Sequence, residues 1–278
     1  MKLKAALYKA LIVVMVMAFV CTLFCSCGKE AEISVSVDIL KIGKADCIII
    51  DTGSNIIMID TGEEENLDTV RAYMSKKGYD RVDMLILTHY DKDHIGGASE
   101  IISEYNVTTV IESVFTSNDE WYAKYHQTMD SLGITPTKLS KDYSLTVDGC
   151  QIDISVPKEK EYSEKKDNNS SLVVSMECGE KRMLFCADAM ELRLEELIEE
   201  LEGPYDFVKL PYHGNYLDNY REFLEIIKPT YGAITCSKKN PASEETLSLL
   251  DELEITAYQT RNGQITVITD GKELIVKQ

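Results

Sequence analysis

Residues Leu87–Gly97 read LTHYDKDHIGG and place two of the chain's four histidines and two aspartates within six positions. The apolar run DMLIL leads into this stretch and predicts a buried strand, and GGASEIISEY predicts a helix after it. Imidazole nitrogens and carboxylate oxygens are ligands for Zn²⁺, Mn²⁺ and Fe²⁺. The stretch therefore predicts a divalent-metal site, and the alternative is an exposed turn with a capping carboxylate.

Three further apolar segments end on residues of the same kind. NIIMID ends on Asp60, KRMLFCAD on Asp188, and DFVKLPYH on His213. Ligand sites of α/β proteins collect at the carboxyl ends of strands, because buried strands hold side chains in place while the following loops stay open to substrate. Four such endings in one chain favour a shared metal site over an isolated turn.

Asp93 and His94 are neighbours in the sequence, so we expect an irregular turn to direct both side chains toward one point. Gly96 and Gly97 follow, and they would give the backbone the freedom for that turn. A cation at this point would offset the repulsion between the carboxylates of the cluster.

The rest of the chain alternates short apolar runs with segments whose apolar residues recur at helical spacing. This alternation predicts one α/β domain over residues 33–278, with two packed sheets and helices outside them. The charged segment KEKEYSEKKDNN, residues 158–169, is predicted to be a solvated loop with functional content only at its end.

The N-terminal residues have the features of an export signal. A basic start, an apolar run of about fifteen residues and the small-residue end FCSCGKE predict a lipoprotein-type signal peptide over residues 1–26 and a short linker over residues 27–32. Ser26-Cys27 resembles a bacterial lipobox, in which Cys27 would carry the lipid and hold the protein at the cell membrane. An uncleaved anchor and cleavage without lipid are the alternatives, and each of them predicts that the globular part lies outside the cytoplasm.

Charge and cysteine content restrict the function further. The formal charge is −18, and loss of the three leader lysines would make it −21. Such a charge disfavours tight nonspecific binding to nucleic acid, where neutralised phosphates supply most of the affinity. Five cysteines with wide, irregular spacing follow the leader and predict small core residues rather than a disulfide framework or a thiolate zinc site. They are Cys47, Cys150, Cys178, Cys186 and Cys236.

THYDKDHIGG resembles the HxHxDH signature of the metallo-β-lactamase superfamily, with Asp91 in place of the second histidine. The HxDxDH form followed by IGG is similar to the hydrolase domain of the competence DNA-uptake protein ComEC and its free-standing relatives. Other segments resemble the same family in order along the chain: DILKIGKADCIIIDTGSNIIMIDTG, NNSSLVVSMECGEKRMLFCAD and VKLPYHGN. The resemblance implies an αββα four-layer sandwich, in which two mixed β-sheets are flanked by helices.

The resemblance also implies a ligand set for one or two divalent ions, Zn²⁺ or Mn²⁺. One ion would be held by His89 and Asp91, a second by Asp93, His94 and His213, and Asp188 would bridge the two. In this set the carboxylates of Asp91 and Asp93 belong to the catalytic centre. Oxygen ligands in place of imidazoles harden the first site, which favours Mn²⁺ or Mg²⁺ there or leaves the site weakly occupied.

Other residues are expected beside the ligands. Asp60 would orient the cluster, and Asn168 or Asn169 could stand in for a third histidine of the superfamily that has no counterpart here. Lys92 could contact an anionic substrate or face solvent, and Tyr212 could stabilise a developing oxyanion or pack as an aromatic. His126 is predicted to be a surface or packing histidine.

The resulting expectation is an extracytoplasmic hydrolase that attacks a phosphodiester with a water activated by metal. Its substrate would be DNA, a nucleotide or a small phosphoester, and the sequence indicates no obligate protein partner. A lactam or lactone hydrolase is one alternative, and a non-catalytic substrate-binding lipoprotein with a relic metal site is another. No GxSxG, P-loop or GxGxxG motif is present, which disfavours covalent hydrolases, NTPases and dinucleotide enzymes.

Overall fold

Two β-sheets packed face to face form the centre of the molecule, as seen in a computed structural model that describes residues 33–278. The predicted signal peptide, Cys27 and the linker up to residue 32 lie outside the described residues. The first sheet has the strand order β15-β14-β1-β2-β3-β4-β5-β6. Its strands are β1 Val35–Ile39, β2 Ile48–Asp51, β3 Ile56–Ile59, β4 Arg81–Leu87, β5 Asn106–Ser113, β6 Thr137–Leu139, β14 Ile265–Thr269 and β15 Leu274–Lys277.

The second sheet has the order β13-β12-β11-β10-β9-β8-β7. Its strands are β7 Tyr143–Val147, β8 Cys150–Ser155, β9 Val173–Cys178, β10 Lys181–Phe185, β11 Phe207–Lys209, β12 Tyr231–Ile234 and β13 Thr256–Gln259. Both sheets are mixed, since β3 to β6 and β10 to β13 pair in parallel while the other pairings are antiparallel.

Helices cover the outer faces of both sheets. They are α1 Leu67–Lys77, α2 Lys92–Ile95, α3 Ala98–Glu104, α4 Glu120–Leu132, α5 Lys166–Asn169, α6 Glu191–Glu200, α7 Tyr220–Ile227 and α8 Glu244–Glu252, with 3₁₀ turns at Glu64–Asn66 and Pro211–Gly214. The longer helices begin and end at the residues that favour such positions. Asp119 accepts a hydrogen bond from the Trp121 N–H at the start of α4, and Gly133 ends that helix with φ 69°.

Three layers of apolar side chains hold the sandwich together. Alternate residues of β1 (Val35, Val37 and Ile39) point between the sheets and pack with residues such as Phe185. A second cluster lies between the first sheet and α1, α3 and α4, and a third lies between the second sheet and α6, α7 and α8. The predicted αββα four-layer sandwich is therefore confirmed. Among the described helices, none is long and apolar enough to cross a bilayer.

The strand directions bring the functional strand ends to one end of the sandwich. In the first sheet, β3 to β6 run parallel, so their carboxyl ends share one edge. In the second sheet, β8 and β10 are both antiparallel to β9, so the carboxyl end of β8 lies on the same side as those of β10 and β11. The ends of both sheets meet here, since Leu172 N–H, just before β9, donates to Thr88 O after β4.

Two predictions about local structure were wrong. Cys150 and Cys178 form a disulfide, because they are directly paired on β8 and β9 with Cα atoms 4.4 Å apart. Their separation of 28 residues gives no sign of this register. Cys47, Cys186 and Cys236 are free and buried, as expected. The predicted loop 158–169 contains α5 and a buried Tyr162, so it is partly ordered against the core.

Candidate metal centre

His94 lies at the centre of the polar cluster, and its side chain is fully buried. His94 belongs to α2, a single regular helical turn that follows β4. The prediction of an irregular turn at Asp93 and His94 is therefore wrong. Gly96 and Gly97, which follow this turn, both have right-handed helical backbone angles. They are therefore needed because two backbone segments approach closely here, and not for a positive φ. A Cβ on Gly96 would lie 3.0 Å from the Glu63 Cα, and the Gly97 N–H donates to the Gly62 carbonyl at 2.9 Å. The fold thus packs α2 directly against the loop after β3.

The Asp60 carboxylate fixes the orientation of the His94 ring. Asp60 Oδ2 lies 2.7 Å from His94 Nδ1, and Asp60 also accepts hydrogen bonds from the Thr88 N–H and hydroxyl. A carboxylate on Nδ1 leaves Nε2 free to bind a metal ion. Asp60 therefore touches a candidate ligand from behind, in the position expected from the sequence.

Asp188 faces two histidines with its two oxygens. Its Oδ1 lies 3.3 Å from His94 Nε2, and its Oδ2 lies 3.2 Å from His213 Nε2. His213 Nε2 is also 3.3 Å from Asp93 Oδ2, and Thr235 Oγ1 lies 3.0 Å from its Nδ1. The two oxygens of Asp188 thus face His94 and His213, which are both expected ligands of the second ion, and the bridging role of Asp188 stays a prediction.

His89 and Asp91 form the more open side of the cluster. The His89 ring is buried and its centroid is 4.0 Å from that of His94, whereas the Asp91 side chain is 39% exposed. His89 Nε2 and Asp91 Oδ2 are 3.8 Å apart. Burial, with the nearby charge of Asp93, raises the pKa of Asp91 to about 6 although His94 opposes it. This side has fewer imidazoles and more contact with water than the other.

Several buried atoms of the cluster have no hydrogen-bond partner among the described residues, and this fits a metal centre. They are His89 Nε2, His94 Nε2, His213 Nε2 and Asp188 Oδ1. Two overlapping groups of three residues place their donor atoms within 4.8 Å of one another: His89, His94 and Asp188, and Asp93, His94 and His213. Buried polar atoms are nearly always paired, so unpaired nitrogens and oxygens that converge on one point are what a divalent cation would satisfy.

Backbone strain is concentrated at the same strand ends. Asp60, Ala187, Tyr212 and His213 all have positive φ angles, from 47° to 57°. Non-glycine residues in this region cost about 1–3 kcal/mol each and persist where the surrounding structure over-determines them. The ends of β3, β10 and β11 are therefore held in conformations that aim side chains at the cluster.

The four residues expected beside the ligands fall in different places. Asn168 Nδ2 donates to Asp188 Oδ2 at 3.1 Å, so Asn168 reaches the centre. Asn169 does not reach it. It donates to the Glu164 carbonyl and accepts from the Arg193 N–H, which holds α5 against α6. Of the two candidate stand-ins for the third histidine, only Asn168 is in place.

Lys92 and Tyr212 contact other parts of the chain. Lys92 Nζ lies 2.7 Å from Glu65 Oε1 and over the Trp121 ring, on the outside of α2. The Tyr212 N–H donates to the Ala187 carbonyl, and its half-buried ring packs against the outer core of the second sheet. Neither contact involves a candidate ligand. His126, on α4, lies 3.3 Å from Glu112 Oε2 and takes no part in the cluster.

Sequence reasoning missed a buried ion pair beneath the cluster. Asp46, just before β2, pairs with Lys209 at the end of β11, and both side chains are at most 1% exposed. Lys209 Nζ also donates to the Ala187 carbonyl at 3.0 Å, and the Asp46 N–H donates to the Asp93 carbonyl at 3.0 Å. The pair joins the two sheets and touches the backbone beside two candidate ligands. Its only sign in the sequence is one acid and one base in apolar strand-like runs.

A second lysine lies at the rim of the cluster. Lys44 Nζ is 2.7 Å from Asp93 Oδ2, and its side chain is 41% exposed. Burial alone would lower the pKa of Lys44, but the carboxylates of Asp93 and Asp188 raise it. The Lys44 ammonium is therefore a positive charge that contacts the cluster and is also exposed to solvent.

The carboxylates and the burial of the centre shift the pKa values of its three histidines in different directions. Burial alone would lower the pKa of His94, but Asp188 and Asp60 outweigh it and hold this pKa well above its usual range. The pKa of His213 is likewise raised despite burial, mainly by Asp188. Burial and the neighbouring His94 charge keep the pKa of His89 well below its usual range. Without metal, the carboxylates thus favour the protonated form of two of the three imidazoles.

Metal binding is therefore expected to release protons. A metal-bound imidazole must be neutral, so binding at His94 and His213 should release up to about two protons near pH 7. Because these pKa values are raised, the apparent affinity should increase as pH rises toward them. Calorimetric titration of the metal-free chain with Zn²⁺, in buffers of different ionisation enthalpy, measures the number of protons. A heat independent of the buffer would contradict the assignment, and a His213→Gln variant should release about one proton fewer.

Comparisons with known proteins give the same family and fold. A model of the metallo-β-lactamase superfamily matches residues 40–237. The chain is 28% identical over 201 residues to ComE operon protein 3 of Bacillus subtilis, covering 69% of this chain and 25% of that protein. It is 24% identical over 240 residues to Recombination protein 2 of Haemophilus influenzae, covering 83% of this chain and 28% of that protein. The chain thus spans about a quarter of the length of these curated relatives.

Among solved structures, the metallo-β-lactamase fold protein YhfI of Bacillus subtilis superposes with a TM-score of 0.56. The match covers 85% of this chain and 100% of that one at 12% identity, so it supports the fold alone.

Proposed function

Because this chain belongs to the metallo-β-lactamase superfamily, we propose that it is a metal-dependent hydrolase that cleaves phosphodiesters in DNA, nucleotides or smaller phosphoesters. The observation that carries the proposal is the number of oxygen groups in the cluster, where Asp91 lies beside His89 and Asn168 contacts Asp188. Oxygen ligands suit the harder divalent ions that serve phosphoryl chemistry. The name of one relative, Recombination protein 2, agrees with a nucleic-acid substrate.

The chain's residues fit one or two divalent ions, with Zn²⁺ or Mn²⁺ as the candidates. We propose a tight site at Asp93, His94 and His213, a weaker one at His89 and Asp91, and Asp188 between them. Rotation of the Asn168 amide would present its oxygen to an ion held by Asp188. When bound, such an ion acts as a Lewis acid and lowers the pKa of a water molecule.

The side chains around the cluster would bind and orient the ester. Lys44 lies at the rim of the cluster, with its Nζ 2.7 Å from Asp93 Oδ2. It would supply a positive charge that binds an anionic phosphodiester. Asp60 keeps the His94 ring fixed through Nδ1, so that ring need not reorganise during the reaction. The acidic surface of the whole chain favours short substrates over long polyanions, which it would repel.

We also propose that the domain works outside the cytoplasm, anchored at the cell membrane through a lipid on Cys27. The leader-like sequence supports this location, and so does the Cys150–Cys178 disulfide, since such bonds persist in oxidising compartments. No protein partner is required for the reaction as proposed.

The function is tested with substrates of three kinds. We expect the whole chain with Mn²⁺ or Zn²⁺ to hydrolyse bis(p-nitrophenyl) phosphate and single-stranded DNA, and to leave nitrocefin intact. A His94→Ala variant should lose more than about a hundredfold in kcat/KM, since groups that only hydrogen-bond metal ligands are already worth about 10–100-fold. The matched control is His126→Ala, which removes the histidine outside the cluster.

Two results would contradict the proposal. Cleavage of nitrocefin alone would indicate a lactam hydrolase. No turnover with either ion, together with metal binding like that of an active relative, would indicate a binding protein with a relic site.

A further inference from the structure

A cleft opens beside the metal centre at the same end of the sandwich. Its volume is about 500 Å³, within the roughly 300–1,000 Å³ of small-molecule sites. One wall follows β5 and β6 of the first sheet, and the other follows β8 of the second sheet. The lining residues are 113–116, 139–140, 156–161 and Lys166.

The topology places this cleft one strand step from the candidate ligands. His89 follows β4, and the cleft follows β5, the parallel neighbour of β4. The Tyr90 hydroxyl, next to His89, donates to the Ser113 carbonyl on the cleft wall at 2.7 Å. On the other side, α5 carries both Lys166, which lines the cleft, and Asn168, which contacts Asp188. The cleft and the centre are thus linked through the Tyr90–Ser113 hydrogen bond and through α5.

The surface of the cleft is partly apolar. Val114 is 46% exposed, one of few large apolar side chains in the described residues that face water to this extent. Phe115, Leu139, Val156 and Pro157 line the cleft with it. The Phe115 ring stacks on Tyr162 at 6.2 Å and 27°, which fixes the ring between the two walls. An apolar surface with a fixed aromatic ring suits a flat group such as a nucleobase.

The charged side chains that line the cleft favour a ligand with a single negative charge. Lys158, Lys160 and Lys166 line it together with Glu159 and Glu161, for a net charge of +1 from three bases and two acids. Lys158 pairs with Glu199 and Glu200, and Lys166 pairs with Glu161. No acid lies within 4 Å of the Lys160 ammonium among residues 33–278, so this lysine can pair with a ligand. A phosphodiester carries one negative charge.

Two buried side chains of α6 hold the second wall in place. The fully buried Arg193 donates to the Ser155 hydroxyl and to the Ser171 carbonyl. These two residues flank the segment 156–170 that forms the second wall. Glu196 accepts from the Tyr162 hydroxyl at 2.7 Å and from the Lys158 N–H at 3.2 Å. The wall is therefore formed before any ligand binds, which lowers the entropy cost of binding.

From this arrangement we infer that the cleft binds the nucleoside half of a nucleotide-sized phosphodiester, with its base against Phe115 and Val114. The inference rests on the proposed function and narrows it to short nucleotide substrates, because a cleft with one net positive charge on a strongly acidic chain cannot neutralise a long backbone. Lys160 then lies at the phosphate side of the bound nucleoside.

The test measures binding of two probes to the whole chain with Mn²⁺ present. The probes are thymidine 5′-monophosphate and 2-deoxyribose 5-phosphate, which lacks the base. We expect Phe115→Ala to weaken the nucleotide about tenfold and to leave the sugar phosphate within twofold. Val114→Asp should also weaken the nucleotide, and the matched control Ile275→Asp, 50% exposed on the far edge strand β15, should not. Lys160→Glu should weaken the binding of both probes. The control variant Lys272→Glu should leave the binding of both probes unchanged.

The outcomes separate this inference from the proposed function. Equal nucleotide affinity in the parent, Phe115→Ala and Val114→Asp would overturn the cleft assignment even if the chain hydrolyses phosphodiesters. Base-dependent binding that Phe115→Ala removes would support the assignment even if no hydrolysis is found. Tighter binding of the sugar phosphate than of the nucleotide would also overturn it.

Discussion

Replacing Lys209 with methionine is expected to lower the free energy of unfolding by about 3–5 kcal/mol, because it leaves the Asp46 carboxylate buried without its partner. Both side chains are at most 1% exposed, so water cannot replace the lost ion pair. The change also removes the hydrogen bond to the Ala187 carbonyl, next to Asp188. Denaturant unfolding in the presence of a chelator measures this cost without any contribution from metal.

Two further variants separate the ion pair from the lost side chain. Lys181→Met removes a lysine from a half-exposed pair with Asp206, 3.0 Å apart, and should cost only about 0–1 kcal/mol. The double variant Asp46→Leu/Lys209→Met removes both charges and should recover most of the stability, since buried pairs are often no better than apolar substitutes. If the free energy of unfolding of Lys209→Met lies within about 1 kcal/mol of the parent's, the pair does not hold the sheets together.

Asp188→Asn is expected to weaken metal binding by more than about a hundredfold while leaving the fold intact. The amide has nearly the same shape as the carboxylate, but it loses the negative charge that faces His94 at 3.3 Å and His213 at 3.2 Å. A bridging carboxylate serves both ions, so the change should affect both sites. Metal content after dialysis, and competition with a chromophoric chelator, measure the effect.

The comparison variants for this change are Asp91→Asn and Asp251→Asn. Asp91 lies on the exposed side of the cluster, so its loss should weaken only the first, less tightly held ion. Asp251 is exposed on α8, away from the cluster, and its change should leave metal content unaltered. If Asp188→Asn keeps the parent's metal but loses activity, Asp188 acts on the substrate and not as a bridge.

Local patterns allowed much of the fold to be predicted. The short apolar runs of the strands and the helical spacing of α1, α4, α6 and α8 are visible in the sequence, because central strands are buried on both faces and each helix must present one face to a core. The ends of β3, β4, β10 and β11 were also visible, since an Asp or His follows an apolar run in each case. These signals depend only on neighbouring residues.

Contacts between distant segments could not be predicted in the same way. Nothing in residues 166–169 distinguishes Asn168, which reaches Asp188, from Asn169, which faces α6. That difference is set by how Arg193 and Glu196 hold the segment against the core. The same holds for Cys150 and Cys178, whose pairing depends on the register of β8 and β9.

Residue patterns were sufficient to predict the element order and two packed sheets with helices outside them, and the resemblance to the superfamily implied the four-layer sandwich and the six candidate ligands. Residue patterns suffice for the elements because each helix or strand is marked by the burial of neighbouring residues. The side chains that lie within a few ångströms of one another could be identified only from the folded chain: the Asp46–Lys209 pair between the sheets, Asn168 beside Asp188, and the residues that line the cleft. Those proximities arise where strands from two sheets end together, and strand order and register, rather than local sequence, set them.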